Sequence, residues 1–130
     1  MANLVGIVLV SHSEQLANGL RELLLQLGTA DVPVETAGGT EDGRIGTSYD
    51  RVSAAIARAD RGAGVLILAD LGSAVITTRA VLADQPRANV VLADAPLVEG
   101  AVAAAVIAGT GANLESVSAA AAEARDVPKL

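Results

Sequence analysis

The stretch LVGIVLVSHS, residues 4–13, joins a continuous apolar run directly to three polar residues. The β-branched run over residues 4–10 predicts a strand covered on both faces, as in parallel sheets. Ser13 can cap a following helix over residues 14–27, and Gly28 is expected to end that helix. One apolar stripe of this helix comprises Leu16, Leu20, Leu23, Leu24 and Leu27.

Strands and helices continue to alternate along the chain. Further strands are predicted over residues 32–36, 64–69 and 88–93, and further helices over residues 73–83, 97–109 and 113–125. A loop over residues 38–48 contains four glycines, and Thr47 with Asp50 gives a capping signal for a helix to about residue 60. This order predicts an α/β fold: an open, mostly parallel four-stranded sheet with helices on both faces. The two strongest apolar runs should be central, which gives the strand order 2-1-3-4.

Composition narrows the class of protein. The 130 residues fit one domain, expected over residues 1–125 with a tail at 126–130. Net charge is −6 and no basic run occurs, which argues against nucleic acid and anionic membranes as partners. The absence of cysteine excludes disulfides and thiolate chemistry. The first residues lack a basic signal-peptide region, and the apolar stretches are too short or too interrupted for a membrane span, so a cytoplasmic location is expected.

His12, the only histidine, directly follows the first strand. In open α/β sheets, ligands bind beyond the carboxyl ends of the strands near the switch in strand order. Asp70 holds the equivalent position after the third strand. We expect Asp70 to accept a hydrogen bond from Nδ1–H of His12, which would leave Nε2 free to attack phosphorus. A surface histidine beside a strand-end aspartate, without a role, fits the spacing as well.

Six more residues at strand ends and helix starts are candidate phosphate-binding groups: Ser13, Gly39, Thr40, Thr47, Gly72 and Ser73. Backbone N–H groups and hydroxyls at helix N-termini suit an anion. Simple helix capping at Gly72 and Ser73, and flexible turns in the glycine-rich loop, use the same residue types and remain open. Arg44 could steer an anion or simply be solvated.

Several other site classes lack their sequence signals. No G-x-x-x-x-G-K-[ST] motif occurs, and SHS replaces the G-x-G-x-x-G expected after the first strand of a dinucleotide-binding fold. Histidine phosphatases and small metal chelatases use a second histidine that this chain lacks. A site with several histidines bound to a metal is excluded for the same reason. We therefore expect neither a metal nor a cofactor.

Four segments together resemble a known family. They are IVLVSHSEQLANGL (7–20), GTEDGRIGTS (39–48), LILADLGSAVITTRAVL (66–82) and ADAPLVEGAVAAAVIAGTGANLESV (93–117). They are similar to the phosphotransferase subunit of phosphoenolpyruvate-dependent dihydroxyacetone kinase, which has the mannose-class IIA fold. The spaced set SHS, GTS, DLGSA and APLVEG is the specific part. Mannose-class sugar proteins carry a longer D-L-x-G-G-S-P loop where this chain has DLGSA.

The resemblance implies that His12 is phosphorylated and that Asp70 orients it. It implies the histidine phosphocarrier protein as donor, ADP held in the nucleotide-binding kinase subunit as acceptor, and a homodimer. Some relatives carry fused phosphocarrier domains, which this chain of 130 residues lacks, so separate donor proteins are expected. Two alternatives remain: a mannose-class sugar IIA subunit that passes phosphate to a IIB protein, and a regulatory domain of the same fold in which His12 is dispensable.

Overall fold

The computed structural model describes residues 3–27 and 31–130, so the expected helix end at Gly28 lies outside the described residues. The strands are β1 (Gly6–Ser11), β2 (Val34–Gly38), β3 (Val65–Ala69) and β4 (Val90–Leu92). They form one sheet in the order β2-β1-β3-β4, and every neighbouring pair is parallel. The predicted fold class and strand order are confirmed.

The helices are α1 (Glu14–Gln26), α2 (Tyr49–Ala59), α3 (Gly72–Asp84), α4 (Leu97–Ala108) and α5 (Leu114–Glu123), with a 3₁₀ turn over Ala124–Asp126. Alternate residues of β1 point to opposite faces of the sheet. Ile7 and Leu9 pack with α1, α4 and α5, whereas Val8 and Val10 pack with α2 and α3. The prediction of helices on both faces is therefore confirmed.

The ends of the strands differ from the predicted ones. β2 begins at Val34 rather than at residue 32, because the preceding Pro33 has no N–H to donate and contributes its carbonyl to Ile7 N–H at 2.7 Å. β1 extends to Ser11, which pairs with Gly38. β4 comprises only Val90–Leu92 of the predicted residues 88–93, as a short edge strand.

The predicted leucine stripe of α1 is only partly buried. Leu20 and Leu24 lie in the core, but Leu16, Leu23 and Leu27 are between 42% and 49% exposed. Successive residues of a helix are turned by about 100° around its axis. The three exposed leucines therefore point in a direction roughly 70° away, around the axis, from the mean direction of the buried side chains. A single helix-to-sheet contact is too narrow to cover both groups, so only part of the predicted apolar stripe is buried.

The residue that caps α2 also differs from the predicted one. Ser48, not Thr47, precedes the helix and accepts a hydrogen bond from Arg51 N–H at 3.2 Å. Thr47 instead pairs through its backbone with Gly39 in an isolated parallel bridge. That pairing keeps Thr47 extended and leaves its hydroxyl available to a neighbouring element.

The end of β2 meets the start of α1 at very short range. A Cβ at Gly38 would lie 2.6 Å from Glu14 Cα, so only glycine lets α1 begin directly against this strand. Arg51 Nη1 donates to the Gly38 carbonyl at 2.9 Å and lies 3.6 Å from the Glu14 carboxylate. The starts of α1 and α2 are thereby fixed at the carboxyl edge of the sheet. Within the described residues, no helix has both the length and the apolar character needed to span a bilayer.

Candidate active site

Two polar side chains meet at the carboxyl edge of the central strands. His12 directly follows β1 and Asp70 directly follows β3. Val10 is paired with Ala69 in the parallel register, so the next residues of the two strands are neighbours. His12 Nδ1 lies 2.9 Å from Asp70 Oδ1. The imidazole and carboxylate side chains are 18% and 13% exposed, so the site lies at a partly open rim.

The Asp70 carboxylate is held by hydrogen bonds on both oxygens. Oδ1 accepts from Leu71 N–H at 2.7 Å and faces His12 Nδ1, while Oδ2 accepts from Ser11 Oγ–H at 2.8 Å and His12 N–H at 3.1 Å. Burial raises the pKa of this carboxyl group, but the hydrogen bonds from His12, Ser11 and Leu71 outweigh burial and lower the pKa below its ordinary value. Asp70 is therefore ionised at neutral pH.

An ionised Asp70 decides which imidazole nitrogen of His12 carries the proton. A carboxylate can only accept hydrogen bonds, so Nδ1 must be the donor at the 2.9 Å contact. In the neutral ring, Nε2 then keeps its lone pair. The Ser73 hydroxyl makes a short contact with Nε2 and lies 3.3 Å from the Thr47 hydroxyl. Nε2 thus contacts one hydroxyl group, that of Ser73, which in turn contacts a second one, that of Thr47.

The N-terminus of α3 is open beside Nε2. Serine or asparagine side chains cap α1, α2 and α5, whereas α3 begins after Leu71 without a side-chain cap. Among the described residues, the N–H groups of Gly72 and Ser73 have no hydrogen-bond acceptor. Ser73 directs its hydroxyl at the imidazole instead of at the helix backbone. The predicted simple capping at these residues is thus not what the structure shows, and the open N–H groups suit an anion.

The glycine-rich loop after β2 is attached to the backbone of the SHS segment. Gly39 N–H donates to the Ser11 carbonyl at 3.1 Å, and Gly46 N–H donates to the His12 carbonyl at 3.0 Å. Gly39 has φ of +68°, which disfavours any residue with a side chain. The Thr40 hydroxyl contacts Asp42 and accepts from Arg44 N–H at 3.1 Å. The structure does not bring Gly39 or Thr40 into the hydrogen-bonded group around Nε2.

Ser13 and Arg44 have other partners. The Ser13 hydroxyl accepts from Leu16 N–H at 3.2 Å and caps α1 as predicted. Arg44 is strongly exposed and pairs with Asp42 at 3.2 Å. Neither the Ser13 nor the Arg44 side chain makes a hydrogen bond with the imidazole of His12 among the described residues.

Sequence reasoning missed Ser11 as a separate site residue. Its side chain is completely buried, donates to Asp70 Oδ2, and accepts from Ser13 N–H at 3.0 Å. One signal could have found it: a polar residue closes an otherwise continuous apolar strand. Buried polar side chains need hydrogen-bond partners, and the strand end supplies them.

The candidate site lies apart from a cavity on the other side of the sheet. This cavity, of about 630 Å³, lies between α4, α5 and the residues after them, and no candidate site residue lines it. His12 lies at the rim of the sheet, where its side chain is 18% exposed. Within the described ranges, no three His, Asp or Glu side chains converge as a metal site.

Comparison with known proteins gives consistent matches. The family model EIIA-man, described as the PTS system fructose IIA component, matches residues 6–118. A crystal structure of the protein EF1359, described as of unknown function, superposes with a TM-score of 0.83 at 35% identity. The match covers 92% of this chain and 94% of that one.

Curated relatives match over most of the chain. Phosphoryl donor subunit DhaM of phosphoenolpyruvate-dependent dihydroxyacetone kinase 1 from Listeria innocua serovar 6a is 40% identical over 105 residues, which cover 81% of this chain and 82% of that protein. The phosphotransferase subunit DhaM from Lactococcus lactis subsp. lactis is 36% identical, with 86% and 89% covered. Escherichia coli DhaM is 38% identical over 88% of this chain but only 25% of its own length.

Proposed function

The chain belongs to the EIIA-man family, the PTS system fructose IIA components, and from that premise we propose that it is the phosphoryl donor subunit of a phosphoenolpyruvate-dependent dihydroxyacetone kinase. His12 accepts a phosphoryl group from a histidine phosphocarrier protein. It then passes the group to ADP bound in the nucleotide-binding kinase subunit. The chain acts in the cytoplasm as a phosphotransferase component that needs these partners for turnover.

One observation carries this proposal: His12 Nδ1 is held by Asp70 while Nε2 faces the open N-terminus of α3. The first contact prepares a neutral imidazole as a nucleophile. The second supports binding of the oxygens of a phosphoryl group on Nε2 by the unpaired N–H groups of α3. A histidine without a role would need neither arrangement.

Each transfer makes and breaks one bond to phosphorus. The Nε2 lone pair attacks the phosphorus of the donor's phosphohistidine, the Nε2–P bond forms, and the donor's N–P bond breaks with its electron pair returning to the donor ring. The His12 ring becomes positively charged, and the Asp70 carboxylate stabilises it through Nδ1–H. In the second transfer, an oxygen of ADP attacks phosphorus and the Nε2 lone pair is restored. The proton on Nδ1 remains in place throughout.

The phosphoryl oxygens need donors in both transfers. We expect the N–H groups of Gly72 and Ser73 and the hydroxyls of Ser73 and Thr47 to provide them. The Ser73 hydroxyl contacts Nε2, Gly72 precedes Ser73 in the first turn of α3, and the Thr47 hydroxyl lies 3.3 Å from that of Ser73. Ser73 then releases its contact with Nε2 and donates to the phosphoryl group. For Gly39 or Thr40 to donate to that group, each must first exchange a bond that it makes in or from the glycine-rich loop. The Ser13 hydroxyl only accepts from Leu16 N–H and keeps its own hydrogen to donate.

Three exposed apolar side chains belong to segments that bond or contact His12, and they suit a transient protein partner. Ile45, Leu71 and Ile76 are 75%, 63% and 69% exposed. Ile45 precedes Gly46, which is bonded to His12, while Leu71 and Ile76 lie on either side of Ser73 in sequence. In-line transfer requires a partner's phosphoryl-bearing group to approach Nε2 closely. Donor and acceptor must therefore contact this same rim in turn.

We also propose a homodimer, supported by the character of α4. Only one of its 12 residues is charged, Glu99, and Lys129 pairs with it at 2.7 Å. Val98 and Val106 are nevertheless 45% and 49% exposed. A helix that is apolar on all sides is normally covered.

Labelled phosphate tests the carrier step directly. We expect the protein, mixed with labelled phosphoenolpyruvate and the general phosphotransferase proteins, to retain label that is lost at low pH and kept in alkali. His12→Ala should remove it completely. Label retained by His12→Ala would contradict the proposal. Adding the kinase subunits, ADP and dihydroxyacetone should then move label to dihydroxyacetone phosphate.

The family description favours one alternative acceptor, the IIB protein of a sugar transporter, because it names a fructose IIA component. The carrier chemistry on His12 would be the same. Transfer of label to a mannose-class IIB protein, with none to ADP in the kinase subunit, would establish this alternative.

A further inference from the structure

Ser11 closes β1 with a hydroxyl group that has a defined direction. Its side chain is completely buried, and its oxygen accepts from Ser13 N–H at 3.0 Å. Since Ser13 supplies that hydrogen, the hydrogen of the Ser11 hydroxyl is available for Asp70 Oδ2, 2.8 Å away. Two hydrogen bonds therefore form a chain: Ser13 N–H donates to Ser11 Oγ, and the Ser11 hydroxyl donates to Asp70 Oδ2.

The two carboxylate oxygens of Asp70 have different hydrogen-bond partners. Oδ1 faces His12 Nδ1, and Oδ2 is bonded to Ser11 and to His12 N–H. Rotation of the carboxylate would break the Oδ2 bonds and move Oδ1 out of line with Nδ1. Ser11 is the only side chain that bonds Oδ2 among the described residues. We propose that Ser11 is a positioning residue, whose hydroxyl holds the Asp70 carboxylate in the orientation that keeps the proton of His12 on Nδ1.

The consequence for transfer rests on the proposed function, but the consequence for the imidazole does not. The hydrogen bond made by one ring nitrogen determines which nitrogen of a neutral imidazole carries the proton. Loss of the Ser11 hydroxyl leaves Oδ2 with one donor and lets the carboxylate turn. Part of the His12 population then moves its proton to Nε2, where it blocks attack on phosphorus.

Ser11→Ala and Thr78→Val form a matched pair for the test. Both remove a completely buried hydroxyl, but the Thr78 hydroxyl makes no hydrogen bond with any described residue. In ¹⁵N spectra of the unphosphorylated protein at a pH where the ring is neutral, we expect wild type and Thr78→Val to show Nδ1–H only. Ser11→Ala should show a mixture of tautomers. Ser11→Cys, which keeps a weaker donor of similar shape, should be intermediate.

Transfer rates complete the experiment. We expect Ser11→Ala to slow phosphoryl transfer to His12 about twofold to tenfold, in proportion to the fraction of rings that carry the proton on Nε2, and Thr78→Val to leave it unchanged. In an Asp70→Asn background, Ser11→Ala should add nothing further, because the carboxylate that it orients is gone. An unchanged tautomer in folded Ser11→Ala and Ser11→Cys would overturn the inference. Absence of phosphorylation in wild type would instead overturn the proposed function and leave the tautomer result standing.

Discussion

The bonds to the Asp70 carboxylate give the site a defined dependence on pH. They lower its pKa below the ordinary value of 3.8 even though burial acts in the opposite direction. The folded protein therefore holds the ionised form more strongly than the unfolded chain does. This contribution to stability is fully present above about pH 4. It is lost as the pH falls below 3.8 and through the still lower pKa of the folded state.

Asp70→Asn tests that dependence at a single residue. We expect the variant to lose roughly 1–3 kcal/mol of unfolding free energy at neutral pH, because an amide cannot accept from every donor that Asp70 now binds. The difference from wild type should shrink steadily as the pH falls below about 4. Urea denaturation across this range measures it. A difference that stays constant over the acid range would contradict the assignment of ionised Asp70.

At the scale of elements, two adjacent hydroxyls at the start of α2 have different roles: Ser48 caps the helix, and Thr47 contacts Ser73. Ser48→Ala should cost about 1 kcal/mol of unfolding free energy, because Arg51 N–H loses its cap. Thr47→Val should leave stability nearly unchanged but slow phosphoryl transfer, since that hydroxyl contacts Ser73 beside His12. Urea denaturation and the labelled-phosphate assay on both variants check this. The reverse pattern would restore the capping role that the sequence predicts for Thr47.

The uncapped start of α3 predicts a conflict between stability and function. Leu71→Asp adds a side chain that can cap the helix, and we expect about 1 kcal/mol of added stability. The same carboxylate would occupy the N–H of Ser73 or Ala74 and repel a phosphoryl group, so transfer should fall at least about tenfold. Leu71→Ala removes the same exposed leucine without adding a cap or a charge. Equal transfer rates in the two variants would argue against phosphate binding at this helix.

Strand order and the pairing of His12 with Asp70 could be predicted because they follow from continuous apolar runs and parallel register. The roles of individual hydroxyl groups could not be predicted from the sequence. Thr47 and Ser48 look alike in sequence, and only the backbone bridge from Gly39 to Thr47 decides which of them caps α2. A polar residue at the end of an apolar strand marks Ser11 as a candidate, but its role depends on the direction of one buried hydrogen bond, which the sequence does not show. The spacing of apolar residues along α1 also does not show how much of the helix surface the neighbouring elements cover.

At the scale of the whole molecule, the two faces of the sheet lead to different expectations. The face with α2 and α3 carries the exposed Ile76, three residues after Ser73, whereas α4 on the other face carries Val106. If partners dock around His12 and a second copy covers α4, both contacts can exist at once. The dimer can then persist through the cycle of donor and acceptor binding.

Val106→Glu should separate the dimer into monomers of 12.9 kDa, because burying an unpaired carboxylate in an apolar interface is costly. Sedimentation velocity at micromolar concentration measures the change, with an expected rise of at least about tenfold in the dissociation constant. Ile76→Glu is the matched control: it places the same charge at an exposed apolar position on the opposite face, so it should keep the dimer but slow transfer from the phosphocarrier. A wild-type protein that sediments as a monomer would contradict the dimer outright. A dimer that withstands Val106→Glu would place the interface on a surface other than α4.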